Sequence, residues 1–419
     1  MNSKSTTSAS ILESFKVLDL TDEKGMLCGK FLASIGAEVI KIEPPGGDRA
    51  RNLPPFVNDT PGPGMSLYYA GYNTNKKSIT LNIETEDGRE IFKKLVKDSD
   101  FVIESFSPGY MRKLGLGYPE LSAINPRIIM TSITPFGQEG PYSQYKPSDL
   151  MCFAMSGLMY LVGDPDGTPL RISVPQSYSL GAAEGFGSSM IAHYYRERTG
   201  EGQYVDVSIR DSMIKTTIGI LPECEVNDRV MKRGGAYWVI RHKPNKMLWA
   251  CKDGWITFRL HGGTFALATN RQLVKWMSEE NMADDFMLNV DWENLDMDQA
   301  DDELHRKFEE PVGKFFMSHT RQELFEGALA RNIMLLPVST VEEVANSPQL
   351  EFREYWDEVD QPGWDKGIKY PGAFIKASET PCVKTQPASS IGEHNEDIYK
   401  GRLGFSNEKL ALLKTANVI

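Results

Sequence analysis

Short apolar runs alternate with amphipathic stretches through the first half of the chain. Five runs have the length and composition of buried strands: 15–20, 37–43, 78–83, 100–106 and 127–134. Between the third and fourth runs, segment 88–98 places Ile91, Phe92, Leu95 and Val96 at helical spacing. Strands and helices that alternate in this way predict an α/β fold with a parallel sheet.

The pattern changes after a long helix. A long helix is predicted from Leu180 to Arg198, with Gly200 as its C-terminal stop. From about residue 225, short strand-like runs precede an acidic helical region over 270–330, which predicts a smaller α+β lobe. Ser406, two residues before Glu408, is a capping signal for a final helix.

These changes predict the domain organisation. We expect a large α/β domain over 1–222, a small α+β domain over 223–333, and a C-terminal segment, 334–419, that returns to the large domain. A chain of 419 residues with 41% hydrophobic residues is long enough to bury two cores.

Composition and charge exclude several classes of partner. The formal net charge of −11 argues against nucleic acid as a partner, because phosphate backbones are bound by clustered Lys and Arg.

The five cysteines lack CxxC spacing, so we predict neither a metal site nor disulfides, as in a reducing cytoplasm. The first eleven residues lack the apolar core of a signal peptide, and no apolar run approaches the roughly 20 residues that span a bilayer. We therefore expect a cytoplasmic chain with no membrane partner.

A series of segments in fixed order carries a family resemblance. Segment 17–48 ends in VIKIEPPGGD, and 68–118 contains NTNKKSI and DFVIESFSPGYMRKLG. Four further segments follow in the same order: 134–157, 196–212, 336–356 and 391–419. Together they resemble the family III CoA-transferases, also called the CaiB/BaiF or formyl-CoA transferase-like family, along nearly the whole chain.

The resemblance implies both a fold and a mechanism. The fold is a Rossmann-like large domain with a smaller α+β domain, assembled into an interlocked, ring-like dimer. In the mechanism, an aspartate attacks an acyl-CoA thioester, forms a mixed anhydride, captures the CoA thiolate and passes it to a new carboxylate. CoA thioesters are thus the substrates, and the resemblance implies no metal and no other cofactor.

The aspartate of that mechanism is missing from the expected place. Counting from the motif residues Gly181 and Pro175 puts Ser177 or Tyr178 at its position, just before the long helix. Residues 167–183 contain no Asp or Glu, so a small shift of register cannot restore it. We therefore predict no catalytic residue in this chain, and a homologous partner subunit that carries the nucleophile.

The positions that contact CoA in the family are partly kept. Six residues match them: Lys24, Gly25, Ser105, Phe106, Lys113 and Lys146. Lys24 replaces a usual glutamine and Lys113 a usual arginine, whereas Pro44 stands where an arginine often binds phosphate. The resemblance thus implies a CoA groove that lacks one of the family's phosphate-binding side chains.

The expected reaction follows from the heteromeric members of the family. The chain most resembles an accessory subunit for CoA transfer from succinyl-CoA to (R)-benzylsuccinate, in anaerobic toluene degradation.

One alternative is a homodimeric transferase with an unusual nucleophile such as Glu184, inside the long helix. Another is a catalytically dead CoA-binding scaffold. The racemase chemistry of related proteins is disfavoured because Ser148, before Asp149, cannot act as a base.

Overall fold

The chain divides into two compact units. The computed structural model describes residues 9–240, 243–260, 267–295, 297 and 299–419. The first unit combines the described residues up to Leu158 with Arg171–Pro222 and Pro348–Ile419, and the second combines Met159–Leu170 with Glu223–Ser347. Met159–Leu170 thus belongs to the second unit, although it lies inside the range predicted for the large domain. The three predicted domain ranges themselves stay a prediction.

A six-stranded parallel sheet is the centre of the first unit, and it confirms the predicted α/β class. Its strands are β1 Lys16–Leu20, β2 Glu38–Glu43, β3 Lys76–Thr80, β4 Phe101–Glu104, β5 Ile129–Thr134 and β6 Tyr204–Ser208. The third strand ends earlier than predicted, because the backbone N–H of Asn82 donates to Val418 O at 2.8 Å. Leu81 and Ile83 are nevertheless buried.

Eight helices of the first unit precede or follow these strands within the described residues. They are α1 Met26–Ser34, α2 Leu67–Tyr72, α3 Glu86–Val96, α4 Tyr110–Lys113, α5 Tyr118–Ile124, α6 Asp149–Met155, α7 Ser177–Thr199 and α8 Ile209–Ile214. The predicted helix at 88–98 is α3, and Gly200 ends α7 in the left-handed conformation, as expected. However, α7 begins three residues earlier than predicted, so Ser177 and Tyr178 lie in its first turn.

The second unit has its own apolar core. Its elements are α9 Leu221–Asn227, β7 Tyr237–Ile240, β8 Lys243–Lys246, β9 Leu248–Cys251, β10 Gly254–Phe258, α10 Leu267–Glu279, α11 Asp285–Leu288, α12 Asp302–Ser318, α13 Arg321–Arg331, β11 Leu335–Pro337 and α14 Val341–Ala345. Trp249, Phe258 and Phe316 pack together between the antiparallel strands β9–β11 and the helices. Within the described ranges, no helix of either unit combines the length and apolarity needed to cross a membrane.

The C-terminal residues pack into the first unit. They form α15 Pro348–Phe352, β12 Trp356–Val359, β13 Ile368–Pro371 and α16 Asn407–Thr415. Ser406 caps α16, since its Oγ accepts the backbone N–H of Lys409 at 3.2 Å. Leu410 and Leu413 of this helix are buried in the same core as Leu18 and Ile40 of the sheet.

Two buried ion pairs lie in this part of the sheet: one connects β3 with β1, and the other connects β2 with the loop that follows it. Lys76 Nζ donates to Asp19 Oδ2 at 2.8 Å, and Lys41 Nζ donates to Asp48 Oδ2 at 2.9 Å. Burial opposes ionisation of Asp19, but the charges of Lys76 and Lys41 hold its pKa below the ordinary value. This carboxylate therefore stabilises the fold at neutral pH, and that contribution is lost as the pH falls through the lowered folded-state pKa.

A third buried pair is bidentate. Arg51 donates through Nε and Nη2 to the two carboxylate oxygens of Glu43, at 2.6 Å each. Ser78 Oγ of β3 donates to the same carboxylate at 2.6 Å, and Arg51 Nη2 also donates to Ser389 O at 3.0 Å. This pair therefore connects β2 and β3 with the loop that follows β2 and with the C-terminal segment.

We expect Arg51→Met to lower the free energy of unfolding of the first unit by about 3–5 kcal/mol, because it leaves the Glu43 carboxylate buried and unpaired. Urea denaturation followed by circular dichroism measures the change. The double variant Glu43→Gln with Arg51→Met should recover part of the loss, since no charge is then buried. A single variant as stable as the parent would contradict this account of the pair.

Candidate functional site

The strand order places a crevice at the centre of the sheet. The order is β3-β2-β1-β4-β5-β6, so the chain runs outward in opposite directions from β1 and β4. Ligands of open α/β sheets bind outside the carboxyl ends of the strands at such a switch point. We call this space, bounded by residues 21–25 and 105–110, the crevice.

The crevice contains four of the six predicted CoA positions. Lys24 and Gly25 follow β1, and Ser105 and Phe106 follow β4. The two loops are joined at Asp22, whose Oδ1 accepts from Ser105 Oγ at 2.8 Å and whose N–H donates to that Oγ at 2.9 Å. These two hydrogen bonds fix the distance between the two loops that form the walls of the crevice.

Gly25 and Lys24 have defined local roles. A Cβ on Gly25 would lie 2.7 Å from Cγ2 of Thr21, so a larger residue would displace the loop. The ammonium of Lys24 pairs with the Asp22 carboxylate. Arg49 pairs with Asp22 at 2.9 Å and with Glu23 at 2.6 Å. The cations of the crevice are therefore already neutralised by its own acids.

The other two predicted positions are exposed lysines. Lys113 ends α4, and Lys146 lies in the segment between β5 and α6. Neither makes an ion pair with a residue that the structure describes. As contacts to CoA, all six positions stay a prediction.

An apolar pocket of about 400 Å³ opens beside Phe106, on the β1–β3 side of the crevice. It is lined by Leu20, Ile42, Pro44, Pro45, Leu81, Asn82, Ile83, Glu84, Phe106, Tyr110 and Asn417. The rings of Phe106 and Tyr110 lie 4.7 Å apart, and Tyr110 Oη donates to Glu84 Oε1 at 2.8 Å. Glu84 is the one charged side chain among these lining residues. Sequence reasoning missed it, although it directly follows the third apolar run.

The expected nucleophile position lies in the first turn of α7. Ser177 is fully buried, and its Oγ donates to Asp149 O at 3.0 Å. The backbone N–H of Tyr178 donates to Asp149 Oδ1 at 2.9 Å. A carboxylate from α6 therefore caps α7 at this place, and the sequence alone did not reveal that contact because 28 residues separate it from Ser177.

The tyrosines of this region are poor nucleophiles. Burial, together with the nearby acids Glu23 and Asp149, raises the pKa of Tyr178, so its phenol remains protonated. Burial and neighbouring groups raise the pKa of Tyr68 in the same way. Glu184, the alternative nucleophile, pairs with Lys215 and lies about two turns along α7 from Ser177.

Comparison with known proteins supports the resemblance. The profile described as CoA-transferase family III matches residues 12–395. The chain belongs to CoA-transferase family III. This family III chain is 33% identical, over 92% of both chains, to the succinyl-CoA:(R)-benzylsuccinate CoA-transferase subunit BbsE of Thauera aromatica.

Two further relatives show the breadth of the family. A formyl-CoA:oxalate CoA-transferase of Streptomyces coelicolor is 30% identical over 98% of this chain and 100% of its own length. The crystal structure of a CaiB/BaiF family protein from Brucella suis superposes with a TM-score of 0.80 at 26% identity, covering 94% of this family III chain and 99% of that chain. The scaffold is therefore shared by transferases with different substrates.

A cavity of about 590 Å³ lies on the other side of the β4 loop of this family III chain. Glu104 lines it with Ser132, Tyr204 and other residues, and Tyr204 Oη donates to Ser132 Oγ at 2.9 Å. Burial raises the pKa of Glu104 to about 7, although Ser132 and the backbone N–H of Phe106 donate to its carboxylate. The described residues contain no group of three or more His, Cys, Asp or Glu that could hold a metal ion.

We expect Glu104→Gln to stabilise the protein relative to the parent increasingly as the pH rises from 5 to 8. Between pH 4.5 and about 7, the unfolded carboxyl is ionised while the folded one keeps its proton, so the parent loses stability as the pH rises. Urea denaturation at several pH values measures the difference. Glu120→Gln, at an exposed glutamate, is the matched control. A difference that does not vary with pH would contradict the raised pKa.

Proposed function

We propose that this chain is the nucleophile-lacking subunit of a heteromeric family III CoA-transferase. The observation that carries the proposal is the first turn of α7, which contains Ser177 and Tyr178, the residues expected from the sequence at the place of the family's aspartate, and no acid. A mixed anhydride forms only from a carboxylate, so an ester of serine or tyrosine would not pass CoA on in the same way. The Ser177 hydroxyl is buried and donates to a backbone carbonyl, with no base beside it in the described hydrogen bonds.

The partner in this proposal is a homologous chain that carries the aspartate. Exposed apolar side chains support an extensive interface: Ile191 and Tyr194 of α7 are 72% and 65% exposed, and Ile172 and Val174 are 42% and 60% exposed. The family relationship favours an interlocked dimer as the form of that interface. BbsE is itself named as a subunit, which favours a heteromer.

The proposed reaction transfers CoA from succinyl-CoA to (R)-benzylsuccinate in anaerobic toluene degradation, in the cytoplasm. The likeness to BbsE supports these substrates. No metal or redox cofactor takes part in the proposed reaction, since the thioester conserves the energy that the transfer needs. This chain would contribute the interface and part of the walls of the active site.

We expect the purified chain alone to give no CoA transfer from succinyl-CoA to (R)-benzylsuccinate, and co-expression with an aspartate-bearing homologue to give an active complex of both chains. Chromatographic assay of benzylsuccinyl-CoA measures the activity. In the complex, Asp→Asn at the partner's nucleophile should abolish turnover, whereas Tyr178→Phe in this chain should preserve it. Turnover by the lone chain would contradict the proposal.

A homodimeric enzyme is the second candidate, because the Asp149 carboxylate lies at the start of α7. Under the main proposal, this carboxylate caps the helix, a role that asparagine also fills. We therefore expect Asp149→Asn to leave the turnover of the complex within about twofold, as Glu184→Gln should, since no bond to either carboxylate forms or breaks. Steady-state kinetics measure this. A loss of about a hundredfold or more with Asp149→Asn alone would assign the nucleophile to Asp149.

A further inference from the structure

The acids of the crevice and the apolar pocket outnumber the cations. Asp22 and Glu23 follow β1, and Glu84 lines the pocket. Lys24 and Arg49 are already paired with Asp22 or Glu23, and Arg89 Nη1 donates to the main-chain oxygen of Glu84 at 2.7 Å rather than to its carboxylate. A polyanionic ligand would therefore meet carboxylates that its own phosphates repel, in a protein whose formal net charge is already −11.

Three backbone donors of the turn after β1 are occupied as well. In nucleotide-binding α/β folds, phosphates bind to free N–H groups at the start of the first helix. Here the N–H groups of Gly25 and Met26 donate to Asp22 O at 3.0 and 3.2 Å, and Lys24 N–H faces Asp22 Oδ1 at 3.2 Å. The turn that would hold a phosphate is thus closed by its own carbonyl and carboxylate oxygens.

The pocket beside the crevice offers no substitute. Its lining is largely apolar, with the phenol of Tyr110 turned to Glu84. Lys113 and Lys146, the two predicted lysines without an ion pair in the described part of the chain, line neither this pocket nor the cavity beside Glu104. A phosphate here would therefore face the Glu84 carboxylate, which makes no ion pair with a described cation, at an exposed position where salt screens the repulsion.

We propose that this crevice excludes the nucleotide half of CoA, its 3′-phosphate and 5′-diphosphate, and that Glu84 is the residue chiefly responsible. A complex with the aspartate-bearing partner then binds one CoA for each pair of chains, in the partner's crevice. The stoichiometry rests on the proposed function, whereas the exclusion depends only on this chain. Lys24, Gly25, Ser105 and Phe106 are then walls of the site rather than phosphate ligands.

The test measures CoA and pantetheine binding to the full chain by isothermal titration calorimetry. Pantetheine is the thiol arm of CoA without its phosphates, so its affinity reports on binding in the crevice without repulsion between phosphates and carboxylates. The parent chain should bind CoA no more tightly than pantetheine. Glu84→Lys should tighten CoA binding at least about tenfold, with a gain that shrinks at high salt, and should leave pantetheine binding unchanged. Glu84→Gln should give an intermediate gain while it keeps an acceptor for Tyr110.

The matched control is Glu13→Lys, which makes the same change of net charge at an exposed glutamate that lines neither the apolar pocket nor the cavity. It should not change CoA binding. Thermal unfolding confirms that each variant is folded. Parent chain that binds CoA more tightly than pantetheine would overturn the proposal, as would a Glu84→Lys variant with no gain over the control.

The stoichiometry separates this inference from the proposed function. An active complex that binds one CoA per pair of chains supports both. An active complex with two CoA molecules per pair overturns the inference and leaves the function standing. A lone chain that excludes CoA, and that no aspartate-bearing partner activates, leaves the exclusion standing and defeats the function.

Discussion

The buried ion pairs beneath the crevice are the constraint on which the first unit depends. Lys76 with Asp19 connects β3 with β1 across β2, and Arg51 with Glu43 connects the loop after β2 with the carboxyl end of that strand. Each charge is costly to bury alone, so the strands, the loop after β2 and the C-terminal segment keep one arrangement that satisfies all of them. The loops of the crevice are thereby held in place without any ligand.

The same pairing of charges within the chain stabilises the loops around the crevice. Asp22 holds Ser105, Lys24 and Arg49, so the walls of the crevice are stabilised by contacts within the chain. At the start of α7, the Asp149 carboxylate caps the helix, which therefore needs no acid of its own there. Ser177 and Tyr178 thus begin α7 without a carboxylate of their own.

A subunit without the nucleophile is useful where a homologous partner completes the active site. The exposed apolar side chains of α7 and of the segment before it need a cover, which a second chain of the same fold would provide. Under the proposed function, a subunit that does not perform the transfer can dispense with phosphate-binding side chains while it retains the packing. Glu84 in the apolar pocket is the clearest sign of that freedom.

The sequence by itself determined the α/β class, five of the six strands of the sheet, the long helix with its glycine stop, and the absence of an acid in 167–183. These are local properties: periodicity, turn chemistry and ordered motifs. The contacts of Asp149 with the start of α7, the pairing of Lys24 with Asp22, and the position of Glu84 in a pocket beside Phe106 were decided only by tertiary structure. The reason is physical. The Asp149 and Glu84 contacts join segments far apart in the chain, which meet only because parallel strands bring their carboxyl ends to one edge of the sheet, and the Lys24–Asp22 pair lies in a turn that Ser105 holds from the β4 side.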